Sequence, residues 1–303
     1  MTALGPGFHP SVPAADYHSD PCVTPSLSSS IARVLVSETP RKAWLAHPRL
    51  NQNFVKDDDA KFDFGSAVHN FLASGGRGVR IIPGFEDYKK AGARTERDKL
   101  RAQGFVPLLE HHGAQVETIA SNVFASLNER DIELGEQECV MLAEDRGVMV
   151  RAMFDSWSPP DIRDFKVTAI NLANDHVIGH HIADLDYDLR AYFYVRVASL
   201  TFPKLAGRIK FSWIFVEKDE PHGIRIIDAD ATILEMGRRK YEHALGVWQK
   251  CMKSGLWPHL DGLPATVPYP GYAEAQWLDR EIKDGFVMGP IEMLKRGDDA
   301  DGC

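Results

Sequence analysis

Paired cysteines, long apolar runs and an excess of positive charge are all missing from this chain of 303 residues. Its four cysteines, Cys22, Cys139, Cys251 and Cys303, make no C-x-x-C pair. That spacing suggests neither a zinc knuckle nor an iron–sulfur cluster and leaves free thiols. No stretch approaches the roughly 18 consecutive apolar residues of a membrane helix. Met1 to Ala15 is rich in Gly and Pro, with neither a basic n-region nor an apolar h-region, so the reading is a cytoplasmic protein with no membrane partner. Lys and Arg total 35 against 43 Asp and Glu, a formal charge of −8. Indiscriminate nucleic-acid binders normally show a basic excess. A local basic groove remains compatible with the balance, and a carboxylate-rich metal site itself adds negative charge.

What is present is ordinary globular material, 44% hydrophobic and 26% charged, with no internal repeat. Residues 1–20 read as a flexible arm, 21–262 as one domain and 263–303 as an irregular segment interrupted by prolines. Pro25-Ser26 marks the start of a helix to Val36, and Pro40 to His47 reads as a second. Lys56-Asp57-Asp58-Asp59 reads as a solvated loop. Phe64, Ala67, Val68, Phe71 and Leu72 recur at helical spacing over Phe62 to Ala73, closed by Ser74-Gly75-Gly76. Lys89, Lys90, Arg94, Arg97, Lys99 and Arg101 then form a charged run, either a solvated face or a DNA-backbone contact. A helix is expected from Val106 to Asn128. Strands are expected at Glu138–Glu144, Gly147–Trp157 and Ile162–Thr168, a helix at Asp184–Leu200, and strands at Arg208–Glu217 and Ile224–Asp230. A long helix from Ala231 to Gly255 and a short one near Ala273 to Asp284 complete the reading. The order predicts an α/β or α+β fold with one mixed sheet flanked by helices.

Asp155, Asp164 and Lys166 are the residues that point to chemistry. Phosphodiester cleavage needs carboxylates to hold a hard divalent cation, and positive charge near the attacking water and the developing phosphorane. Asp164 and Lys166, two apart on a strand, project from one face and supply both. By residue type alone the same three also suit a turn cap at Asp155 and an exposed cross-strand ion pair. Further donors are His69, on the upstream helix, and Glu138, on the preceding strand with Glu133, Glu136 and Glu144 as competitors. The pairs His111-His112 and His180-His181 point in diverging directions and read as surface groups. Lys204, Arg208 and Lys210, and the run Arg238-Arg239-Lys240, read as solvated or as DNA contacts.

The ordered set of Tyr17-His18, Gly65-Ser66-Ala67-Val68-His69, Glu138, Arg151 to Asp155, Asp164-Phe165-Lys166 and Arg190 four before Tyr194 resembles the RecB-like branch of the PD-(D/E)xK nuclease superfamily. Within it the likeness is to RecE-type exodeoxyribonucleases (exonuclease VIII), over residues 17–260. The resemblance implies a restriction-endonuclease-like core with Mg²⁺, or Mn²⁺ in its place, held by Asp155, Asp164 and the Phe165 carbonyl. Glu138 and His69 would complete or tune the shell. It implies Lys166 as the catalytic cation, and Tyr194 and Arg190 as substrate contacts, although relatives usually carry Gln at the position of Arg190. It further implies an exonuclease acting on linear duplex DNA ends with 5′-to-3′ polarity, a homo-oligomeric ring, and a single-strand annealing partner in homologous recombination. The competing expectations are a non-catalytic DNA-binding module that keeps the fold, and an endonuclease that cuts closed circles.

Overall fold

The computed structural model describes residues 3–54, 63–260, 262 and 265–283. The acidic run Lys56-Asp57-Asp58-Asp59 and the chain after Lys283 lie outside them. In order the elements are β1 (Gly7–His9), α1 (Ala14–His18), β2 (Leu27–Ser28), α2 (Ser29–Ser37), α3 (Pro40–Leu45), α4 (Asp63–Ser74), β3 (Val79–Ile82), α5 (Ala91–Ala102), β4 (Val106–Leu109) and α6 (Glu110–Asn128). There follow β5 (Glu136–Asp145), β6 (Val148–Ser158), β7 (Asp161–Thr168), α7 (Asp175–Asp184), α8 (Tyr187–Thr201), β8 (Lys210–Glu217), β9 (Ile224–Asp228), α9 (Ala231–Ser254) and α10 (Gly271–Lys283). Two compact units divide the chain, Met1–His259 and Leu260–Cys303. The second is described chiefly by α10, whose Trp277, Leu278 and Ile282 are exposed.

The expected mixed sheet is present, with strand order β1-β5-β6-β7-β8-β9 and β2 added to β6. β5, β6 and β7 run antiparallel through short turns, as their spacing requires. β7 and β8 are parallel, joined by the crossover through α7 and α8. A separate parallel pair, β3 and β4, lies off this sheet. One face carries α2, α3, α8 and α9 over Phe154, Trp213, Phe215 and Trp248. Each such fully buried side chain contributes about 1.5–3 kcal/mol. On the other face, α4 and α6 cover Phe165, Ile214 and Val216.

Several boundaries moved for identifiable reasons. α2 starts at Ser29 because Ser28 is its cap, its Oγ accepting from the Ile31 N–H at 3.4 Å, while Leu27 and Ser28 pair in parallel with Val150 and Arg151. The helix expected from Val106 begins only at Glu110, since Val106–Leu109 pairs with Val79–Ile82. α7 ends near where its expected successor was to begin, and Asp186, in the left-handed conformation, separates it from α8.

The first twenty residues are not a loose arm. Gly7–His9 pairs antiparallel with Val140–Leu142, and Tyr17 and Cys22 pack with Val140, Leu142 and Met149. Asp20 is buried, accepting from the Ser26 amide at 2.9 Å and the Ser26 hydroxyl at 2.7 Å, and pairs with Arg151 at 3.2 Å. Buried carboxylates persist only when so partnered. His47 completes this cluster: its Nε2 donates to the Ser26 carbonyl at 3.0 Å, and its Nδ1 accepts from the amides of Arg49 and Leu50.

Candidate active site

The site forms where the ladders on both sides of β6 are interrupted. On one side β6 pairs with β7 only from Ser156 to Ser158, while β2 pairs with it only at Val150 and Arg151. Asp155 and Asp164 are the next facing positions beyond the last β6–β7 pair, Ser156 with Arg163. On the other side, Gln137 pairs with Ser156 and Cys139 with Phe154, so the skipped Glu138 stands across from Asp155. Glu138 has φ 50°, a left-handed conformation that breaks the strand there. Phe154 and Trp157, three apart, both enter the same core, so strict alternation is also lost around Asp155. Backbone groups released at such a break need partners. The Phe165 amide donates to Asp155 Oδ2 at 2.9 Å.

Around this point the structure gathers most of the expected residues. His69 Nδ1, from α4, lies 3.5 Å from Asp155 Oδ2, and its ring meets Phe165 edge-on at 6.0 Å. Asp164 is fully buried and forms an ion pair with Lys166 and another, at 3.0 Å, with Arg190 Nε. Lys166 Nζ also donates to the Phe165 carbonyl at 3.0 Å and lies 5.4 Å from the Tyr187 ring centroid. The Phe165 carbonyl expected to face a metal therefore already accepts from Lys166. Among the described residues no group of three or more His, Cys, Asp or Glu converges as a metal cage.

Electrostatics follow from two cations sharing one carboxylate. Burial raises the Asp164 pKa, but Arg190 and then Lys166 outweigh it and hold the group below the usual carboxylate range. Burial lowers the Lys166 pKa, and Arg190 adds to the effect, against the opposing pull of Asp164. Glu138, whose side chain is exposed, is pushed up by desolvation of its carboxyl and by Asp155.

Tyr194 is corrected as a substrate contact. It is buried with its ring against Phe154 and Phe211, and the Arg190 guanidinium lies over that ring at 5.1 Å. Its contribution is to support Arg190 from the core. Tyr187 was missed in the sequence, where nothing sets it apart from the other aromatic residues of α8. Arg238 and Arg239 pair with Glu235, and Lys240 with Asp186 and Asp188. His180 meets His176 at 3.1 Å, away from His181.

The fold and this carboxylate–lysine site define a PD-(D/E)xK-type domain. The family of PDDEXK-like domains of unknown function (DUF3799) matches residues 29–263, and the chain belongs to it. No curated protein matches the sequence. Among solved structures, one from Eubacterium rectale described as "Putative exonuclease" is similar with a TM-score of 0.60 at 14% identity, covering 87% of this chain and 98% of that one. That likeness is one of fold. A phage related exonuclease from Haemophilus somnus 129PT aligns over 76% of this chain and 96% of its own at 11% identity, with a TM-score of 0.33. The superfamily expected from Asp155, Asp164 and Lys166 is borne out; the RecE-type branch is a finer distinction than the family draws.

Proposed function

We propose that the protein is a divalent-metal-dependent nuclease that hydrolyses DNA phosphodiester bonds as an exonuclease on linear duplex ends. The observation that carries this reading is the interrupted ladder at Asp155, which brings His69, Asp155, Asp164 and Lys166 to one point of a PDDEXK-like domain.

Mg²⁺ is commonly bound by one or two carboxylates, with water and substrate phosphate completing its shell, so a three-residue cage is not required. Asp155 and Asp164 fit that demand. Both Asp164 oxygens are buried, Oδ2 facing Lys166 and Oδ1 facing Arg190, and only one Asp155 oxygen is engaged by the Phe165 amide. His69 and Glu138 stand beside Asp155 as secondary donors. When bound, the cation supplies Lewis acidity at the phosphate. Lys166 orients the attacking water and offsets the charge that develops at phosphorus, while Arg190 holds Asp164 ionised. The RecE-type resemblance supports 5′-to-3′ polarity, a homo-oligomeric ring and an annealing partner in recombination.

Release of acid-soluble nucleotides from linear duplex and from covalently closed circular DNA, with Mg²⁺ and with chelator, tests this. Metal-dependent loss of the linear substrate alone is expected. Cutting of the closed circle would instead establish an endonuclease, and no hydrolysis of either would overturn the reading.

A second reading has one observation in its favour: Arg190 and Lys166 already neutralise Asp164. A non-catalytic DNA-binding module would bind duplex equally with and without metal and would tolerate Asp164→Ala.

A further inference from the structure

Charge is unevenly distributed in this acidic chain. Residues 77–109 carry eight Lys and Arg against four Asp and Glu, whereas the whole chain is at −8. This stretch is the β3–α5–β4 module, with its own two-stranded parallel sheet. It packs on α4, the helix that carries His69, and on α6.

The sequence alone left this run as either a solvated face or a DNA contact, and the structure separates its cations by partner. Lys89 pairs with Asp87, Arg97 with Asp98 and Lys99 with Glu96. Arg77, Arg80, Lys90 and Arg94 are exposed and form no carboxylate ion pair within 4 Å among the described residues, although Asp87 feels Lys90 and Asp98 feels Arg94 at longer range. Three of these four are held in place by backbone carbonyls. Arg77 Nε donates to the Ser74 carbonyl at 3.1 Å, and Arg80 donates to the carbonyls of Arg77 and Val79 at 2.9 and 2.8 Å. Arg94 donates to the Tyr88 carbonyl at 3.2 Å. Arg80 also lies over the Phe105 ring at 3.9 Å. A side chain already held loses less rotamer freedom when it meets a ligand.

The helix adds direction. At 100° per residue, Arg94, Arg97 and Arg101 fall within about a 60° sector of α5, roughly one cation per turn. Lys90 stands just before them at the N-cap. Of the three only Arg94 is exposed; Arg97 and Arg101 are half-buried toward the side of Ala93, the buried residue of the helix, and Lys99 lies on the opposite side. Lys90 and Arg94 are the exposed end of this stripe, and adjacent exposed cations suit the phosphates of a polyanion.

We propose that the β3–α5–β4 module is a phosphate-backbone grip that holds duplex DNA away from the scissile bond, with Lys90 and Arg94 making direct contacts. This rests on the nuclease reading of the site. It also accounts for DNA binding by a chain of net negative charge, since the contact charge is segregated in one module.

The test uses the full chain with Lys166→Ala as background, so that DNA is bound and not consumed. Fluorescence anisotropy measures affinity for a labelled linear duplex over a salt series. Each phosphate contact contributes about 0.9 to the slope of log K against log salt. Lys90→Gln with Arg94→Gln is expected to reduce that slope by about 2 and to weaken low-salt binding at least tenfold. Lys99→Gln, already paired and off the stripe, is expected to leave both unchanged. An unaltered slope in the double variant, or an equal loss in Lys99→Gln, would overturn the proposal while the cleavage assay still stands. Failure of the background protein to bind any duplex would overturn both. Binding of anionic phospholipid vesicles that depends on Lys90 and Arg94, with DNA binding unaffected, would reassign the surface to membranes and overturn it too.

Discussion

Asp164 is where the electrostatics of the site converge, because one buried carboxylate answers to both Lys166 and Arg190. A metal at Asp164 has to tolerate a fixed guanidinium beside it. Arg190→Gln, which restores the residue type usual in the resembled family, is therefore expected to lower the half-saturating Mg²⁺ concentration about tenfold, near 1.4 kcal/mol. A Mg²⁺ titration of nuclease activity checks this, and an unchanged midpoint would mean that Arg190 and the metal do not compete. His47 makes a separate prediction about stability. Burial lowers its pKa from 6.5 to about 4, and both ring nitrogens are already used by the neutral form. The folded state then binds fewer protons than the unfolded chain between those values, so stability present above pH 6.5 is lost as pH falls toward 4. The loss is on the order of 3 kcal/mol. His47→Gln should flatten that part of a plot of urea-unfolding free energy against pH. The shared face of Asp164 and Lys166 was legible from strand spacing, whereas the grouping of His69, Glu138 and Asp155 with them came only from the family resemblance. The Arg190–Asp164 pair and the left-handed Glu138 were not legible, since both depend on neighbours distant in the chain.

At the scale of elements, function depends on β6 keeping two incomplete partnerships. β2 and β7 share one edge of it, and the unpaired stretch between them is where Asp155 meets the Phe165 amide. The helices behind the sheet fix this arrangement, and α8 and α9 approach closely at Gly237. A Cβ there would stand 2.0 Å from the Asp188 carbonyl oxygen. Gly237→Ala is expected to cost about 1–3 kcal/mol as an over-packing change. Urea denaturation with an unchanged m-value would measure it; a change below about 0.5 kcal/mol would show that α8 and α9 separate freely. The longer elements, β5 to β9, α6 and α9, could be read from hydrophobic pattern and turn chemistry. β1, β2, β3 and β4 escaped that reading because runs of two to four residues hold too little of a period. α5 was read only as charge, since its mean composition is polar and Ala93 alone is buried.

For the whole molecule, net charge is a poor guide to what is bound. The same chain carries a buried carboxylate, Asp164, answered by two cations, and a module of net positive charge packed on α4 and α6. Family membership covers residues 29–263, yet residues 7–28 also belong to the folded unit through β1, Tyr17 and Asp20. Removing residues 1–28 is accordingly expected to yield insoluble or unfolded protein, which soluble expression and circular dichroism would check; a folded, active truncation would contradict this packing account. The central claim is that Lys166 and its carboxylates form a working hydrolytic site. Single-turnover cleavage of linear duplex with Mg²⁺, comparing wild type with Lys166→Ala at matched DNA occupancy, tests it most directly. The account predicts at least a hundredfold slower cleavage (~2.7 kcal/mol) with DNA binding retained. Equal rates in the two proteins would contradict it.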